Sequence, residues 1–335
     1  MTTHSKRRGA ALLAGLAIAA LGLAGCSTTE SGGGTDGGPI DSKVIGVSVA
    51  DQKSLFYIAA VDGMKAAAEE AGYKLIVESA DNDANRQVNQ VQNLLTQQVG
   101  VLIYTPQDAT AAAAGVRLAN DAGVPVVAVD QKPETEDAEI RTFIATDSVK
   151  AAYEVCTWMF EQFDNEGEIA VLQGPLGSTA ELQRSEGCQK ALDENPGVID
   201  VQWESAGWDE TQAFEASQNI LTAHPNLKAI FGESDAMAMG AAKAAQQAGR
   251  DGMFFVGIDG FPTMFQAIAD GLTQATMAQQ PYMMGQLAVE NAIALLEGEG
   301  DDIPAEQYQD AVLVNEANVA ENDPTKFYGP NVGTK

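Results

Sequence analysis

The sequence predicts an α/β protein of two similar lobes, each a doubly wound, mostly parallel sheet. Three observations point there. From Val44 onward, short apolar runs rich in β-branched residues alternate with alanine-rich stretches of helical length, the pattern of repeated strand–helix–strand units. The alternation runs through residue 145 and then restarts as a second set of similar length. A last long helix and a strand come after that second set is already complete. Each could finish a lobe by crossing back, although the sequence alone leaves that crossing open.

In the first set, strands are expected over 44–49, 73–78, 99–104, 125–129 and 141–145. Helices are expected over 55–71, 85–97 and 110–122. Gly72, Gly100 and Gly123 fall near element ends, where a left-handed cap is wanted. The strands are apolar throughout, which suits a sheet covered on both faces. The second set reads as helix 148–163, strand 169–173, helix 180–192, strand 198–203 and helix 211–223, then strand 228–232, helix 236–248 and strand 253–258. A short helix at 262–269 and a strand at 272–277 close it, and the late elements are helix 282–296 and strand 311–314.

The N-terminus reads as an export signal. Lys6, Arg7 and Arg8 precede an uncharged apolar stretch, 10–24, that ends in Leu23-Ala24-Gly25-Cys26. At about 1.5 Å per residue that stretch reaches roughly 22 Å, short of the ~30 Å hydrocarbon layer. The run at Cys26 resembles a bacterial lipobox, in which the cysteine receives a diacylglyceryl group and becomes the mature first residue. Two or three acyl chains hold a protein on a bilayer where one would not. The expected place is therefore the extracytoplasmic face of the cell membrane. Residues 27–39 are rich in Ser, Thr and Gly with no large apolar side chain before Pro39, the composition of a flexible tether.

Composition narrows the function. The formal charge is −28 from 19 basic and 47 acidic residues; losing the leader's three positives leaves 16 − 47 = −31. Such a polyanion repels phosphate backbones, which disfavours nucleic-acid partners. The only histidines are His4 and His224, and no Cys-x-x-Cys occurs, so a zinc site and Ser–His catalysis both lack ligands or base. Neither a metal nor a cofactor is expected. Asp81-Asn82-Asp83 offers clustered oxygens but lacks the glycine and distal glutamate of a calcium loop. Cys156 and Cys188 fall on two helices that flank one strand and could pack together, and we read them as a disulfide suited to an oxidising compartment.

In open α/β sheets, ligands sit beyond the carboxyl ends of the strands. The residues just after the expected strands are Asp51, Ser54, Phe56 and Tyr57, then Asp130 and Gln131, then 174–178 with Arg184. Trp208, Ser234, Asp235, Asp259 and Gln279 follow. Aromatic rings that cover C–H faces, carboxylates and amides that accept and donate, and a forked arginine together suit a sugar. Asp235 reads better as the cap of the helix after it than as a ligand contact.

These residues also carry a family resemblance. Phe56-Tyr57 with Asp62-Gly63, Val129-Asp130, Arg184-Ser185-Glu186-Gly187, residues 219–225, Asp235-Ala236-Met237-Ala238-Met239-Gly240, Val256-Gly257-Ile258-Asp259-Gly260 and Ala278-Gln279 keep their order along the chain. They resemble the ribose-binding-protein group of type I periplasmic sugar-binding proteins, which serve ABC importers. The resemblance implies two lobes joined by three crossover segments, with the sugar enclosed between them. It implies ligand contacts at Ser54, Phe56, Tyr57, Asp130, Gln131, Arg184, Trp208, Ser234, Asp259 and Gln279. It also implies a monomer, no enzymatic activity, and an ABC permease as membrane partner.

Departures from that group bear on the ligand. Ser54, Gln131 and Ser234 stand where ribose binders carry asparagine, arginine and asparagine, and Trp208 replaces a smaller aromatic residue. The expected ligand is thus another monosaccharide or a sugar alcohol. The expected boundaries are a leader at 1–25, a linker at 26–42 and a C-terminal extension at 317–335, with a first lobe of 43–146 plus 280–308 and a second of 147–279 plus 309–316. A receptor that presents its sugar to a signalling partner would use the same lobes. A carbohydrate hydrolase using Asp130 and Asp259 as paired carboxylates is a competing reading. A transcription regulator would need a helix-turn-helix where this chain has its export signal.

Overall fold

In a computed structural model, residues 43–332 are described; Cys26 and the expected leader and linker lie outside them. Twelve strands and ten α-helices are found among the described residues. The first half runs β1 (Val44–Val49), α1 (Leu55–Ala71), β2 (Lys74–Ser79), α2 (Ala84–Thr96), β3 (Val101–Thr105), α3 (Ala109–Asp121), β4 (Val126–Val129) and β5 (Thr142–Thr146). The second runs α4 (Ser148–Glu161), β6 (Gly167–Gln173), α5 (Thr179–Glu194), β7 (Val198–Ser205), α6 (Glu210–Ala223) and β8 (Leu227–Gly232), then α7 (Asp235–Gln247), β9 (Phe254–Asp259), α8 (Pro262–Ala269) and β10 (Ala275–Ala278). The chain ends with α9 (Pro281–Glu297), β11 (Glu306–Gln309), β12 (Val312–Asn315) and α10 (Thr325–Tyr328).

The strands form two six-stranded sheets of the same design. Their orders are β11-β5-β4-β3-β1-β2 and β12-β10-β9-β8-β6-β7, one motif used twice. All neighbours pair in parallel except β10 with β12, which is antiparallel. Chain passage between sheets occurs three times, after β5, after β10 and between β11 and β12. The α/β fold of two lobes with three crossovers is therefore present, with one antiparallel edge that the strand pattern did not announce.

Each sheet is covered on both faces, which is why its inner strands are apolar at every position. Every residue of β3, β4, β8, β9 and β10 is buried except Lys228 and Phe254 at strand starts. In the first lobe α1 and α9 pack on one face and α2 and α3 on the other. In the second, α4 with α5 and α6 with α7 play the same parts. Helix α9 comes long after α1 in sequence, yet the two cross so closely that a Cβ on Gly285 would lie 2.0 Å from the Ala60 carbonyl oxygen. A Cβ on Gly63 would meet the Tyr282 carbonyl at the same distance. Only glycine permits that crossing, and the crossing pins the late helix to the first lobe.

Helices α4 and α5 are joined by a disulfide between Cys156 and Cys188, both buried in the second lobe's core. Strand β11 is the one sheet member absent from the strand expectations. Its Glu-Gln-Tyr-Gln sequence lies half-exposed at a sheet edge, so no apolar run marks it.

Candidate binding cleft

The carboxyl ends of both sheets open on one cavity of about 630 Å³, within the range of small-ligand sites. All ten residues singled out as ligand contacts line it. The first lobe supplies Ser54, Phe56 and Tyr57 from the start of α1, with Asp130 and Gln131 beyond β4. The second supplies Arg184 from α5, Trp208 from the β7–α6 turn, Ser234 before α7 and Asp259 ending β9. Gln279 lies just beyond β10, where the chain crosses between lobes.

On the first-lobe wall, Tyr57 Oη donates to Asp130 Oδ2 at 2.8 Å. Phe56 meets the Tyr57 ring edge-on, centroids 5.4 Å apart, so the pair presents a fixed aromatic corner. Burial pushes the Tyr57 hydroxyl well above its ordinary pKa, and the Asp130 charge adds to the shift. Burial likewise raises Asp130, against the pull of Tyr57 and Arg184. Asp130 sits at φ 68, a left-handed turn that aims its side chain off the strand end.

The second-lobe wall is built round one buried guanidinium. Arg184 Nη1 donates to the Glu233 carbonyl and lies 3.6 Å from Asp259 Oδ1. Its guanidinium carbon stands 5.3 Å from the Trp208 ring centroid. That ring in turn rests on Gly174, where a Cβ would come within 2.1 Å of it. Arg184 Nε is buried with no acceptor among the described residues. Ser185 bridges two buried carboxylates: its Oγ donates to Glu233 Oε1 at 2.7 Å and Glu181 Oε1 at 3.2 Å, and accepts from Gln173 Nε2 at 3.0 Å. Glu233 Oε2 and Glu181 Oε2 accept the Gly174 and Gly177 amides, each at 2.8 Å. The loop that carries Pro175 and Ser178 into the cleft is thus tied to the core at two points.

Gln279 joins the parts. Its Nε2 donates to Asp259 Oδ1 at 2.9 Å, and its Oε1 accepts from Thr146 Oγ1 of β5 at 2.7 Å. One amide therefore links the end of the first sheet to a carboxylate of the second.

Asp235 corrects an expectation. The cap of α7 is Ser234, whose Oγ accepts the Met237 amide at 3.3 Å. Asp235 instead turns inward: Oδ2 accepts the Gly260 and Phe261 amides at 2.7 and 2.8 Å, and Oδ1 accepts from Thr276 at 2.6 Å. It braces the turn that follows Asp259. The strand-end argument also passed over lining residues Asn82, Gln107 and Phe261. Asn82 follows β2 and Gln107 follows β3, so applying the same argument to every strand would have named both. Asn82 Nδ2 donates to Asp51 Oδ2 at 3.2 Å, and Asp83 caps α2 through the Arg86 amide. Among the described residues, no group of three His, Cys, Asp or Glu side chains could hold a metal ion.

Comparison with known proteins adds the following. A family model described as periplasmic binding protein domain matches residues 45–300. The ribose import binding protein RbsB of Bacillus subtilis (strain 168) is 33% identical over 254 residues, covering 76% of this chain and 82% of that one. The xylitol-binding protein of Mycolicibacterium smegmatis is 31% identical over 284 residues, covering 84% and 80%. The solved structure of an ABC transporter solute binding protein from Bacillus halodurans C-125 with bound myo-inositol matches with a TM-score of 0.78 at 28% identity. That match covers 85% of this chain and 98% of the other.

The buried carboxyls give the cleft a pH signature. Burial raises Asp130, and raises Glu233 to about 7. Asp235 and Asp259 are raised by burial, with mutual repulsion adding to the shift of Asp235. Such groups bind more protons folded than unfolded, so their contribution to stability is complete below about pH 4 and is lost as pH rises through their folded values. The ligand-free protein is expected to have a higher urea midpoint at pH 5 than at pH 8. An equal or lower midpoint at pH 5 would contradict this.

Proposed function

The chain belongs to the periplasmic binding protein family, and we propose that it captures a monosaccharide or sugar alcohol between its lobes for an ABC importer. The family is one of solute-binding proteins and not of enzymes. One observation carries the reading: aromatic rings, carboxylates and a guanidinium from both sheets line a single cavity, the chemistry a polyol would need. Tyr57 and Asp130 stand on one side, Arg184, Trp208 and Asp259 on the other. Arg184 Nε, buried without a protein acceptor, is a donor that a ligand hydroxyl would satisfy. The ten lining residues named from the sequence are our proposed contacts. The ring faces of Phe56 and Trp208 would cover C–H surface while the carboxylates accept from hydroxyls.

Closure of the lobes would exclude water and strengthen those hydrogen bonds, and the ligand would shift the population towards the closed form. Ribose, xylitol and myo-inositol, named for the relatives above, mark the class of ligand and not its member. The change at Gln131 removes a charged double donor beside Asp130 and favours a ligand other than ribose.

We further propose that the lobes comprise 43–146 with 280–308 and 147–279 with 309–316, and that the protein acts as a monomer. Cys26 would carry a lipid anchor after removal of 1–25, with 26–42 as the tether. Replacement Cys26→Ser should release the protein from membranes into the extracytoplasmic fraction, and continued membrane attachment would refute the anchor.

The ligand reading is tested by thermal-shift screening against monosaccharides, alditols and cyclitols, since a ligand that binds only the native state raises its apparent stability. At least one compound is expected to raise the melting temperature of the parent protein. Asp259→Ala should lose that shift, its affinity falling by at least an order of magnitude as a charged acceptor worth about 1.5–3 kcal/mol is removed. A full shift retained by Asp259→Ala would remove that residue from the site.

A further inference from the structure

Residues 317–332 follow the last strand and lie beyond the family match, which ends at residue 300. They nevertheless reach the back of the cleft. Phe327 and Tyr328 of α10 are buried in a cluster drawn from both lobes, with Leu55 and Ala59 of α1 and Met264 and Phe265 of α8 among its members. Phe327 stacks on Phe265, centroids 5.9 Å apart. The Tyr328 ring meets Phe261 at 5.7 Å, and its Oη donates to the Asp259 main-chain carbonyl at 2.8 Å.

Asp259 is the cleft residue in most need of such support. Its φ is 146, a conformation that side chains other than glycine rarely adopt and that persists only where the surroundings hold it. Three supports converge on it. The Gln279 amide and Tyr328 Oη both donate to its carbonyl, at 2.9 and 2.8 Å, while Asp235 grips the two amides that follow. The Gln279 and Asp235 supports come from elements inside the family match, and Tyr328 comes from outside it.

We propose that Tyr328 is a positioning residue for the ligand site, holding the backbone of Asp259 so that its carboxylate stays aimed into the cleft. The C-terminal segment is then part of the binding machinery and not an appendage. The hydroxyl acts through the main-chain carbonyl of Asp259, a residue that lines the cleft. The inference rests on the proposed role of Asp259 in holding ligand.

The test compares Tyr328→Phe, Asp259→Asn and the double variant in the full-length chain. Affinities for D-ribose, xylitol and myo-inositol are read by calorimetry, and the Asp259 carboxyl is titrated by carbon NMR without ligand. Tyr328→Phe keeps the ring and its packing and removes only the donor. We expect it to weaken binding about three- to tenfold in the parent background and to add nothing in the Asp259→Asn background. We also expect the Asp259 titration midpoint, held up by burial against the pull of Arg184, to fall towards the ordinary carboxylate range. Equal losses in both backgrounds would show a general structural role, and an unchanged affinity or midpoint would likewise overturn the proposal. If none of the three probes binds the parent protein, the midpoint alone still decides the role of Tyr328, and the wider ligand screen decides the sugar reading.

Discussion

Everything in the cleft depends on burying one guanidinium among carboxylates at the seam between two sheets. Arg184, Glu181, Glu233, Asp235 and Asp259 are all nearly inaccessible in the second lobe. Taking such groups out of water costs several kcal/mol each, and apolar residues of similar size would often stabilise a fold better. The arrangement persists because each charge is given fixed partners. Glu233 and Glu181 hold the 174–178 loop, Asp235 holds the turn after β9, and Arg184 is steadied by the Glu233 carbonyl and the Trp208 ring. The result is a cross-braced wall, of which Arg184 and Asp259 line the cavity.

A ligand in the proposed site would add partners to this set. Asp130 and Asp259 project from opposite lobes into one space, and Arg184 acts on both. An uncharged polyol can donate to the carboxylates and accept from the guanidinium without adding charge to bury. The chain passes between the two sheets in three short crossings near residues 147, 280 and 310. Gln279, at one of those crossings, touches both Thr146 and Asp259, and so ties the crossing to both sheets.

Much of this was legible in the sequence, for identifiable reasons. Inner strands such as Val126–Val129 are apolar on both faces and so announce themselves, and helices of alanine and evenly spaced large residues fill the gaps. The residues that line the cavity followed from strand ends and from motifs such as Ile258-Asp259-Gly260. Contacts set by distant partners were not legible. Strand β11 has no apolar run because it is a half-exposed edge, and its place comes from pairing with β5. The role of Asp235 was misjudged because the rule for helix caps suits two adjacent residues, and only the tertiary structure shows that Ser234 takes the cap. Tyr328 carries no local signal at all, since its partner lies 69 residues away.

The most direct measurement is a crystal structure of the protein with the polyol that stabilises it most. We predict density for one uncharged molecule in contact with Asp130 on one lobe and with Arg184 and Asp259 on the other, the rings of Phe56 and Trp208 against its C–H faces. A ligand held by one lobe alone, or seated outside the space between them, would contradict the account.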